Sequence, residues 1–231
     1  MITQNQKMNG NSTPNSSLNL RDYQMEDAKF LASLPQSACF NEQRTGKTPT
    51  ALEVIKLRKL EDSKVLIVTT ASSLFQWKEE YEKWLGKPCF ICTGSPSQKL
   101  DAVSKWTHGL IISLDTFKAT KSRNGLVDPI LKRHPQMVIL DEAHKIKNHK
   151  SANAQAMFKT RDIPYRLALT GTPAQGKPYD VYSILKFLFP SDFGSYWRFI
   201  DQYFVIEEKT VYNGGKPRSF YYYEKFKPGI D

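Results

Sequence analysis

The loop from Asn41 to Thr48 contains residue types that bind phosphate. Gly46, Lys47 and Thr48 follow the apolar run 37–40 and begin a helical pattern. Backbone N–H groups at a helix N-terminus receive phosphate, a lysine there can reach the β- and γ-phosphates, and the hydroxyl of Thr48 can ligate Mg²⁺. A Gly-Lys-Thr tripeptide also arises by chance, so the rest of the chain must decide whether this loop is a nucleotide site.

Two positions in this loop depart from the usual phosphate-binding signature. The position five residues before Gly46 is normally glycine and is Asn41 here, and Arg44 stands where small residues are usual. Arg44 leaves the geometry of the loop open, and its charge could contact either a phosphate or a nucleic acid. We count Arg44 and Thr45 among the candidate nucleotide-binding residues.

Two adjacent carboxylates follow the apolar run 137–140. A carboxylate at the end of a buried strand is costly unless it has a partner, and Mg²⁺ is such a partner for Asp141. Glu142 could polarise an attacking water, and His144 could help to sense a γ-phosphate. The alternative is a pair of acids in a solvated loop.

A third motif, Thr170-Gly171-Thr172, lies at the end of the run 165–172. Hydroxyls beside a glycine turn can form hydrogen bonds with the region of His144 and register the γ-phosphate, whereas a plain turn is the alternative. The three motifs in this order are much less easily accidental than any one of them. Together they predict a nucleotide site.

Alternating apolar and amphipathic segments position these motifs. Apolar runs predict strands at 37–40, 65–70, 89–92, 110–114, 137–143 and 165–172, and helical patterns lie at 47–60, 72–85, 97–106, 126–132, 151–159 and 178–188. Several runs are continuously apolar, as expected for strands that are covered on both faces. The alternation predicts an α/β fold with a parallel sheet flanked by helices, which holds ligands at the carboxyl ends of its strands.

The composition limits the class of protein. The chain has 33 basic and 23 acidic residues, and its net charge of +10 favours a polyanionic partner, although a merely soluble basic protein is the alternative. It has neither a run of eighteen apolar residues nor a secretory signal, so we expect no membrane contact.

Three cysteines, an odd number, favour a reducing intracellular compartment. The segment CFIC, with Cys89 and Cys92, favours a buried strand over a zinc site, which needs four ligands.

By composition the chain divides into three parts. Residues 1–19 are rich in Asn, Ser and Gln and predict a disordered polar tail. Residues 20–190 carry the motifs and predict the nucleotide-binding domain, while residues 191–231 form an aromatic and basic appendage. Asn213-Gly214-Gly215 is typical of a turn between two strands, which predicts a small hairpin in the appendage.

The motifs, taken together, resemble those of a known family. The chain resembles the first RecA-like lobe of superfamily-two helicases, specifically the Swi/Snf-type DNA translocases, over about residues 20–205. The likeness is carried, in chain order, by LRDYQMEDAKFL, GKT (motif I), VLIVTTASSLFQWKEEYEKW (motif Ia), LIISLDTF (motif Ib), LDEAHKIKN (motif II), LALTGTPAQGKPYDVYSILKFLFP (motif III and its following helix) and FGSYWRFIDQYF. The KIKN extension of motif II is the most family-specific of these features.

This resemblance implies ATP and Mg²⁺ as cofactors, duplex DNA as a partner, and ATP hydrolysis that is coupled to movement on DNA. It also adds Gln24, in the segment before the P-loop, as the reader of the adenine base. The candidate residues are then Lys47, Asp141 and Glu142 for catalysis; Gln24, Arg44, Thr45, Gly46, Lys47, Thr48 and His144 for the nucleotide; Thr48 and Asp141 for Mg²⁺; and Thr170, Gly171 and Thr172 for coupling.

Loops on the motif side of the sheet supply candidates for DNA contacts. Hydroxyls and backbone N–H groups there can bond phosphate oxygens, and lysines add charge, but neither reads bases. The candidates are Thr70 and Ser72 in motif Ia, Ser113 and Lys118 at motif Ib, and Lys145 and Lys147 after motif II. A solvated basic edge is the alternative explanation for Lys118 and Lys147.

Nothing in the sequence resembles the second lobe of this family with its arginine-finger motif. Because ATP in this family is bound between two lobes, the resemblance implies a second RecA-like lobe in cis or in trans and an inactive chain without it. Asn41 is compatible with the family, which often has an acidic residue there. The alternatives are a nucleic-acid-binding module without turnover and an RNA helicase or restriction-type motor subunit. Compact motif spacing suggests a bacterial or viral source and hence the cytoplasm.

Overall fold

In the computed structural model of the chain, a six-stranded parallel sheet lies between two layers of helices. The structure describes residues 19–118, 125–174, 176–213, 216–223 and 225–229. The strands are β1 (Gln36–Cys39), β2 (Val65–Thr69), β3 (Cys89–Cys92), β4 (Gly109–Ser113), β5 (Met137–Asp141) and β6 (Tyr165–Leu169). All six predicted strands are therefore present, and the α/β prediction is confirmed.

The helices largely follow the predicted amphipathic segments. They are α1 (Asp22–Ser33), α2 (Lys47–Leu57), α3 (Leu74–Leu85), α4 (Pro96–Lys105), α5 (Leu114–Phe117), α6 (Val127–Leu131), α7 (Ala152–Phe158), α8 (Tyr182–Leu188) and α9 (Tyr196–Tyr203). α2 ends before the predicted residue 60 because Lys59 adopts a left-handed φ of 56°. The first turn predicted for α8 is a 3-10 helix, Pro178–Val181, and the sequence pattern did not predict α1, α5 or α9.

Both faces of the sheet are buried, which explains the continuous apolar runs. Along β2, Leu66 and Val68 pack into the cluster on one face, while Val65 and Ile67 pack into the cluster on the other. Strands without a solvent-facing side need no polar alternation. The cysteines Cys39, Cys89 and Cys92 are free and buried in these two clusters, as expected for CFIC as a buried strand.

The order of the strands brings the motifs together. Across the sheet the order is β1-β6-β5-β2-β4-β3, and all neighbours are parallel. The loops that follow β1, β6, β5 and β2 carry motifs I, III, II and Ia respectively, so these motifs lie side by side at the carboxyl edge of the sheet.

The C-terminal segment packs against α8 through aromatic side chains. Tyr182 from α8 is buried with Phe199, Ile200 and Phe204 from the α9 region. Two antiparallel strands follow, β7 (Glu207–Asn213) and β8 (Lys216–Tyr222), which form the hairpin expected in this segment. The predicted turn at 214–215 and the predicted tail up to residue 18 lie outside the described residues.

No helix in the described part of the chain combines the length and the apolar character that a membrane span requires.

Candidate functional site

The P-loop, residues 41–48, turns through two left-handed residues before α2 begins at Lys47. Gly46 has φ 82° and Arg44 has φ 66°. This left-handed conformation costs about 1–2 kcal/mol for a residue with a Cβ, whereas glycine adopts it without that cost. Arg44 therefore occupies a position whose backbone favours glycine, and the loop keeps its turn at the cost of local strain.

The ammonium group of Lys47 is bound to the P-loop itself. Its Nζ donates to the carbonyl oxygens of Asn41 at 3.0 Å and of Glu42 at 2.8 Å. The hydroxyl of Thr45 also donates to the carbonyl oxygen of Glu42, at 2.8 Å. Asn41 is anchored in turn, because its side-chain amide donates to the Asp27 carboxylate at 2.6 Å. Asn41 thus ties the P-loop to α1 at the position where the signature has glycine.

Gln24 is buried against the P-loop. Its Nε2 donates to the carbonyl oxygen of Thr45 at 2.9 Å, and its Oε1 accepts the backbone N–H of Arg21 at 2.9 Å. A Cβ at Gly46 would lie 2.1 Å from the Gln24 amide nitrogen, so a larger residue here would displace the Gln24 side chain. The side chain predicted to read the base therefore also supports the P-loop.

Three donors hold the carboxylate of Asp141 at the end of β5. Its Oδ2 accepts from the Thr69 hydroxyl at 2.8 Å and from the Trp77 indole N–H at 2.9 Å. Its Oδ1 accepts from the backbone N–H of Glu142 at 3.0 Å. The sequence did not identify Thr69 or Trp77 as site residues. The available signal was a tryptophan on the apolar face of α3, because a buried indole N–H needs an acceptor.

Glu142, His144 and Thr170 form a polar chain from motif II to motif III. His144 Nδ1 lies 3.2 Å from Glu142 Oε2 and 3.1 Å from Thr170 Oγ1, as expected for a link between these motifs. Thr170 Oγ1 also accepts the backbone N–H of Thr172 at 3.2 Å. Glu142 has a left-handed φ of 51°, which is strained for a residue with a side chain.

The surroundings of the His144 imidazole favour its neutral form. Burial lowers the pKa of His144 below its ordinary value, and the nearby Lys145 and Lys147 lower it further, while Glu142 opposes the shift. A neutral imidazole carries one N–H and one acceptor nitrogen. Both contacts use Nδ1 of His144. In one tautomer Nδ1–H donates to the Glu142 carboxylate, and in the other Nδ1 accepts from the Thr170 hydroxyl.

Gly171 allows motif III to touch the P-loop. A Cβ at this position would lie 3.1 Å from the backbone nitrogen of Gln43 and 3.3 Å from the carbonyl oxygen of Asn41. These are tight contacts to backbone atoms. A side chain at residue 171 would push the P-loop away from β6.

An open cavity of about 420 Å³ lies at the carboxyl edge of the sheet. It is lined by Gln43, Arg44, Gly46, Lys47, Thr48, Pro49, Ser73, Gln76, Trp77, Glu80, Asp141 and Glu142. The two oxygen-bearing side chains expected to ligate Mg²⁺ thus face one space with the P-loop lysine. A larger cavity of about 620 Å³ lies between α6, α7 and α8 and contains none of the motif residues.

The candidate DNA-binding residues differ in their surroundings. The Thr70 hydroxyl lies 3.0 Å from that of Ser72, and both are at the end of β2. Lys118 pairs with Asp115 at 2.8 Å, whereas Lys145 and Lys147 are exposed.

Ser113 is buried and caps α5, accepting the backbone N–H of Thr116 and donating to the Thr116 hydroxyl at 2.9 Å. Its hydroxyl hydrogen is thereby used within the chain, and the contact of Ser113 with a DNA phosphate stays a prediction. Ser113 also positions the loop after β4.

The segment after motif II is fixed by the C-terminal aromatic residues. Ser183 in α8 donates to the carbonyl oxygen of Lys147 at 3.0 Å. The His149 ring stacks on Tyr196 with centroids 4.1 Å apart, and it meets Tyr182 edge-on at 5.6 Å. Motif II is therefore braced from outside the cavity by α8 and α9.

Comparison with known proteins identifies relatives of this chain. Residues 6–214 match the family described as the SNF2-related domain. An uncharacterized ATP-dependent helicase of Mycoplasma pneumoniae is 31% identical over 199 residues, which cover 83% of this chain and 18% of that protein. The ISWI chromatin-remodeling complex ATPase ISW1 of Saccharomyces cerevisiae is 29% identical over 197 residues, covering 79% of this chain and 17% of that protein. The chain thus spans less than a fifth of the length of these relatives.

A solved structure confirms the fold. The Sulfolobus solfataricus SWI2/SNF2 ATPase core, solved in complex with dsDNA, superimposes with a TM-score of 0.63 at 23% identity. The match covers 80% of this chain and 39% of that one. The six-stranded sheet with its helices is accordingly a RecA-like lobe.

The expected bacterial or viral source is not supported by these comparisons. The similar proteins include one from Mycoplasma and others from yeasts and Drosophila melanogaster.

Proposed function

Because this chain belongs to the SNF2-related domain family, we propose that it is the ATP-binding lobe of a translocase that couples ATP hydrolysis to movement on duplex DNA. The observation that carries this proposal is the cavity that Lys47, Thr48, Asp141 and Glu142 line together. A phosphate-binding helix N-terminus, a metal-ligating pair and a general base are the groups that phosphoanhydride hydrolysis needs.

The P-loop would bind the phosphates of ATP. Backbone N–H groups at the start of α2 would donate to phosphate oxygens, and Lys47 would exchange the carbonyl oxygens of Asn41 and Glu42 for the β- and γ-phosphates. Arg44 lines the same cavity and adds a second positive charge near the phosphates, and Thr45 holds the loop.

Gln24 would read the base. Its amide uses one N–H on Thr45 and one lone pair on Arg21, which leaves one donor and one acceptor position for the edge of adenine.

The oxygen-bearing side chains at the cavity are suitable ligands for Mg²⁺. Thr48 and Asp141 offer the oxygen ligands that Mg²⁺ prefers. In the described part of the chain no group of three or more His, Cys, Asp or Glu side chains could hold a metal alone. This suits an ion that completes its shell with nucleotide phosphates and water. When bound, Mg²⁺ neutralises charge on the phosphates.

Glu142 would act as the general base. Its carboxylate can polarise a water directed at the γ-phosphate, and its hydrogen-bond partner His144 reaches Thr170. A shift of His144 between Glu142 and Thr170 would report the state of the γ-phosphate to motif III, which contacts the P-loop at Gly171.

Duplex DNA is the partner that best fits the lysines at the carboxyl edge of the sheet. The related SWI2/SNF2 core was solved with dsDNA. Thr70, Ser72, Lys145 and Lys147 lie at this edge and would contact backbone phosphates, and Lys118 would do so after releasing Asp115. Such contacts position the protein without reading sequence.

A first experiment tests the completeness of the site. We expect the 231-residue chain to bind ATP but to hydrolyse it negligibly, even with duplex DNA, because a cationic finger from a second lobe accounts for about 10³–10⁵ in rate in P-loop enzymes. A labelled ATP analogue measures the binding, and released phosphate measures the turnover. Rapid DNA-stimulated hydrolysis by this chain would contradict the need for a second lobe.

A second experiment tests the DNA contacts by salt titration of a fluorescent duplex. Phosphate-dominated binding loses about 0.9 in log K per tenfold increase in salt for each neutralised phosphate. Lys145→Ala should lower this slope by about one unit on unrelated duplexes alike. Lys105→Ala, a matched loss of charge at the C-terminal end of α4, should leave the slope unchanged. Salt-independent affinity, preference for one sequence, or stronger binding of RNA would contradict the proposal.

A further inference from the structure

Asp141 has most of its hydrogen-bonding capacity already used within the protein. A carboxylate offers about four lone-pair sites, two on each oxygen. Thr69 and Trp77 take the two on Oδ2, at 2.8 Å and 2.9 Å, and the backbone N–H of Glu142 takes one on Oδ1, at 3.0 Å. The position that is left is on Oδ1, and Asp141 lines the cavity with Thr48.

The two donors to Oδ2 are themselves rigid. Thr69 and Trp77 are both almost completely buried, at 1% exposure each. Thr69 is the last residue of β2, the strand that neighbours β5, and Trp77 lies on the buried face of α3. Neither side chain can turn to another partner without disturbing the core.

We propose that Thr69 and Trp77 are positioning residues that immobilise Oδ2 of Asp141 and so present Oδ1 as the single oxygen for Mg²⁺. This inference rests on the proposed nucleotide function and deepens it, because it assigns the geometry of the metal ligand to two residues outside the P-loop and motif II. Partners of a ligating carboxylate fix its orientation and typically affect metal affinity by about 10–100-fold.

The chain contains an internal control for the tryptophan. Trp84, two helical turns after Trp77 on α3, also donates its indole N–H to a carboxylate, Glu53 Oε2, at 2.9 Å. Neither Trp84 nor Glu53 lines the cavity. Trp84→Phe therefore removes the same type of hydrogen bond from the same helix without touching Asp141.

The test measures Mn²⁺, as a paramagnetic substitute for Mg²⁺, by electron paramagnetic resonance of the 231-residue chain with a non-hydrolysable ATP analogue. Thr69→Val and Trp77→Phe should each raise the Mn²⁺ concentration for half-saturation by about 10-fold or more. Affinity for the analogue in EDTA should change by less than about twofold, because the P-loop is intact. Thr69→Ser keeps the hydroxyl and should keep the wild-type Mn²⁺ affinity, and Trp84→Phe should also leave it unchanged.

The outcomes separate this inference from the function on which it rests. Unchanged Mn²⁺ affinity in folded Thr69→Val and Trp77→Phe would overturn the positioning role while leaving the nucleotide site intact. An equal loss in Trp84→Phe would overturn it too, because the effect would then be a general one of α3. Failure of the wild-type chain to bind the analogue would overturn both proposals. Circular dichroism establishes that each variant is folded, and Thr69→Val carries the test if Trp77→Phe is not.

Discussion

The P-loop and the Asp141 corner, which comprises Thr69, Trp77, Asp141 and Glu142, face each other across one cavity but are held differently. The Asp141 corner is fixed by side chains from β2 and α3 that lie 72 and 64 residues away in the chain. In the P-loop, the functional ammonium group of Lys47 binds only carbonyl oxygens of its own loop among the hydrogen bonds described.

This difference indicates two modes of preparation for a ligand. The Asp141 corner keeps its geometry because its partners belong to the core. On the proposed function, the P-loop must instead give up hydrogen bonds of Lys47 before phosphate can replace them, so part of the binding energy of ATP would be used for this exchange. On the proposed function, a rigid Asp141 and an exchangeable Lys47 together favour a site that closes around phosphate rather than one that is fully formed beforehand.

The largest expected effect is the loss of ATP binding in Lys47→Ala. On the proposed function the lysine supplies charge-assisted hydrogen bonds to the phosphates, each worth about 1.5–3 kcal/mol, so affinity should fall by about 100-fold or more. Titration with a labelled ATP analogue measures the effect. Lys56→Ala, an exposed lysine on the same helix, is the control. An affinity that stays at the wild-type level would mean that the P-loop does not bind ATP.

The next largest effect is a difference in stability when one hydrogen bond is removed from each of the two regions. Thr69→Val leaves a partly buried carboxylate oxygen short of one donor, which we expect to lower the free energy of unfolding by about 1–3 kcal/mol. Thr45→Val, which removes the hydroxyl bond to Glu42 in the P-loop, should cost less than about 1 kcal/mol because water can replace it. Urea unfolding of both variants measures the difference. Equal costs would show that the two sides of the cavity are held equally firmly.

Arg44→Gly should relieve the strained turn of the P-loop. A left-handed residue with a Cβ costs about 1–2 kcal/mol, and glycine gives back about 0.5–1 kcal/mol through the entropy of the unfolded chain. We therefore expect the free energy of unfolding to rise by about 0.5 kcal/mol, measured by the same urea titration. Lys59→Gly, at φ 56° after α2, is a matched left-handed site outside the cavity. A clear loss of stability in Arg44→Gly alone would mean that the arginine side chain stabilises the loop.

The smallest effect concerns the brace behind motif II. Burial in the ring stack lowers the pKa of His149, and the charges of Lys150 and Lys186 lower it further. Below the ordinary histidine pKa of 6.5 the unfolded chain then binds more protons than the folded one, so stability falls as the pH falls through this range.

The test compares urea unfolding between pH 7 and pH 5 in wild type and in His149→Phe, which keeps an aromatic ring but cannot titrate. The variant should show a shallower loss of stability. Some loss should persist, because the pKa of His144 is also lowered. Identical slopes would show that His149 is free to ionise in the folded protein.

The sequence was sufficient for the sheet but not for the contacts within the site. β2 and β5 were recognisable because strands buried on both faces must be apolar throughout. The carboxyl-edge position of Lys47 and Asp141 then followed from the rule for parallel sheets.

Contacts between residues distant in the chain could not be predicted in this way. No spacing rule links Trp77 to Asp141, and nothing in motif Ib shows that the Ser113 hydroxyl caps α5. α1 was missed because its buried face includes the polar Gln24, whose partner lies in the P-loop. α9 was missed because its aromatic residues resemble a strand until their packing against Tyr182 is known.

The pairing of β1 with β6 has a consequence for the synthesis of the chain. β1 lies at the edge of the sheet, and its residues Gln36 to Cys39 pair with Arg166 to Leu169. A ribosome that adds 5–20 residues per second needs roughly 7 to 26 s after β1 to make that partner. Until then the strand before the P-loop has no partner in the sheet. ATP therefore cannot yet stabilise the folded lobe by binding to it. On the proposed function, ATP stabilises only chains that have been translated past β6, and during the earlier interval the unpaired β1 is exposed to aggregation.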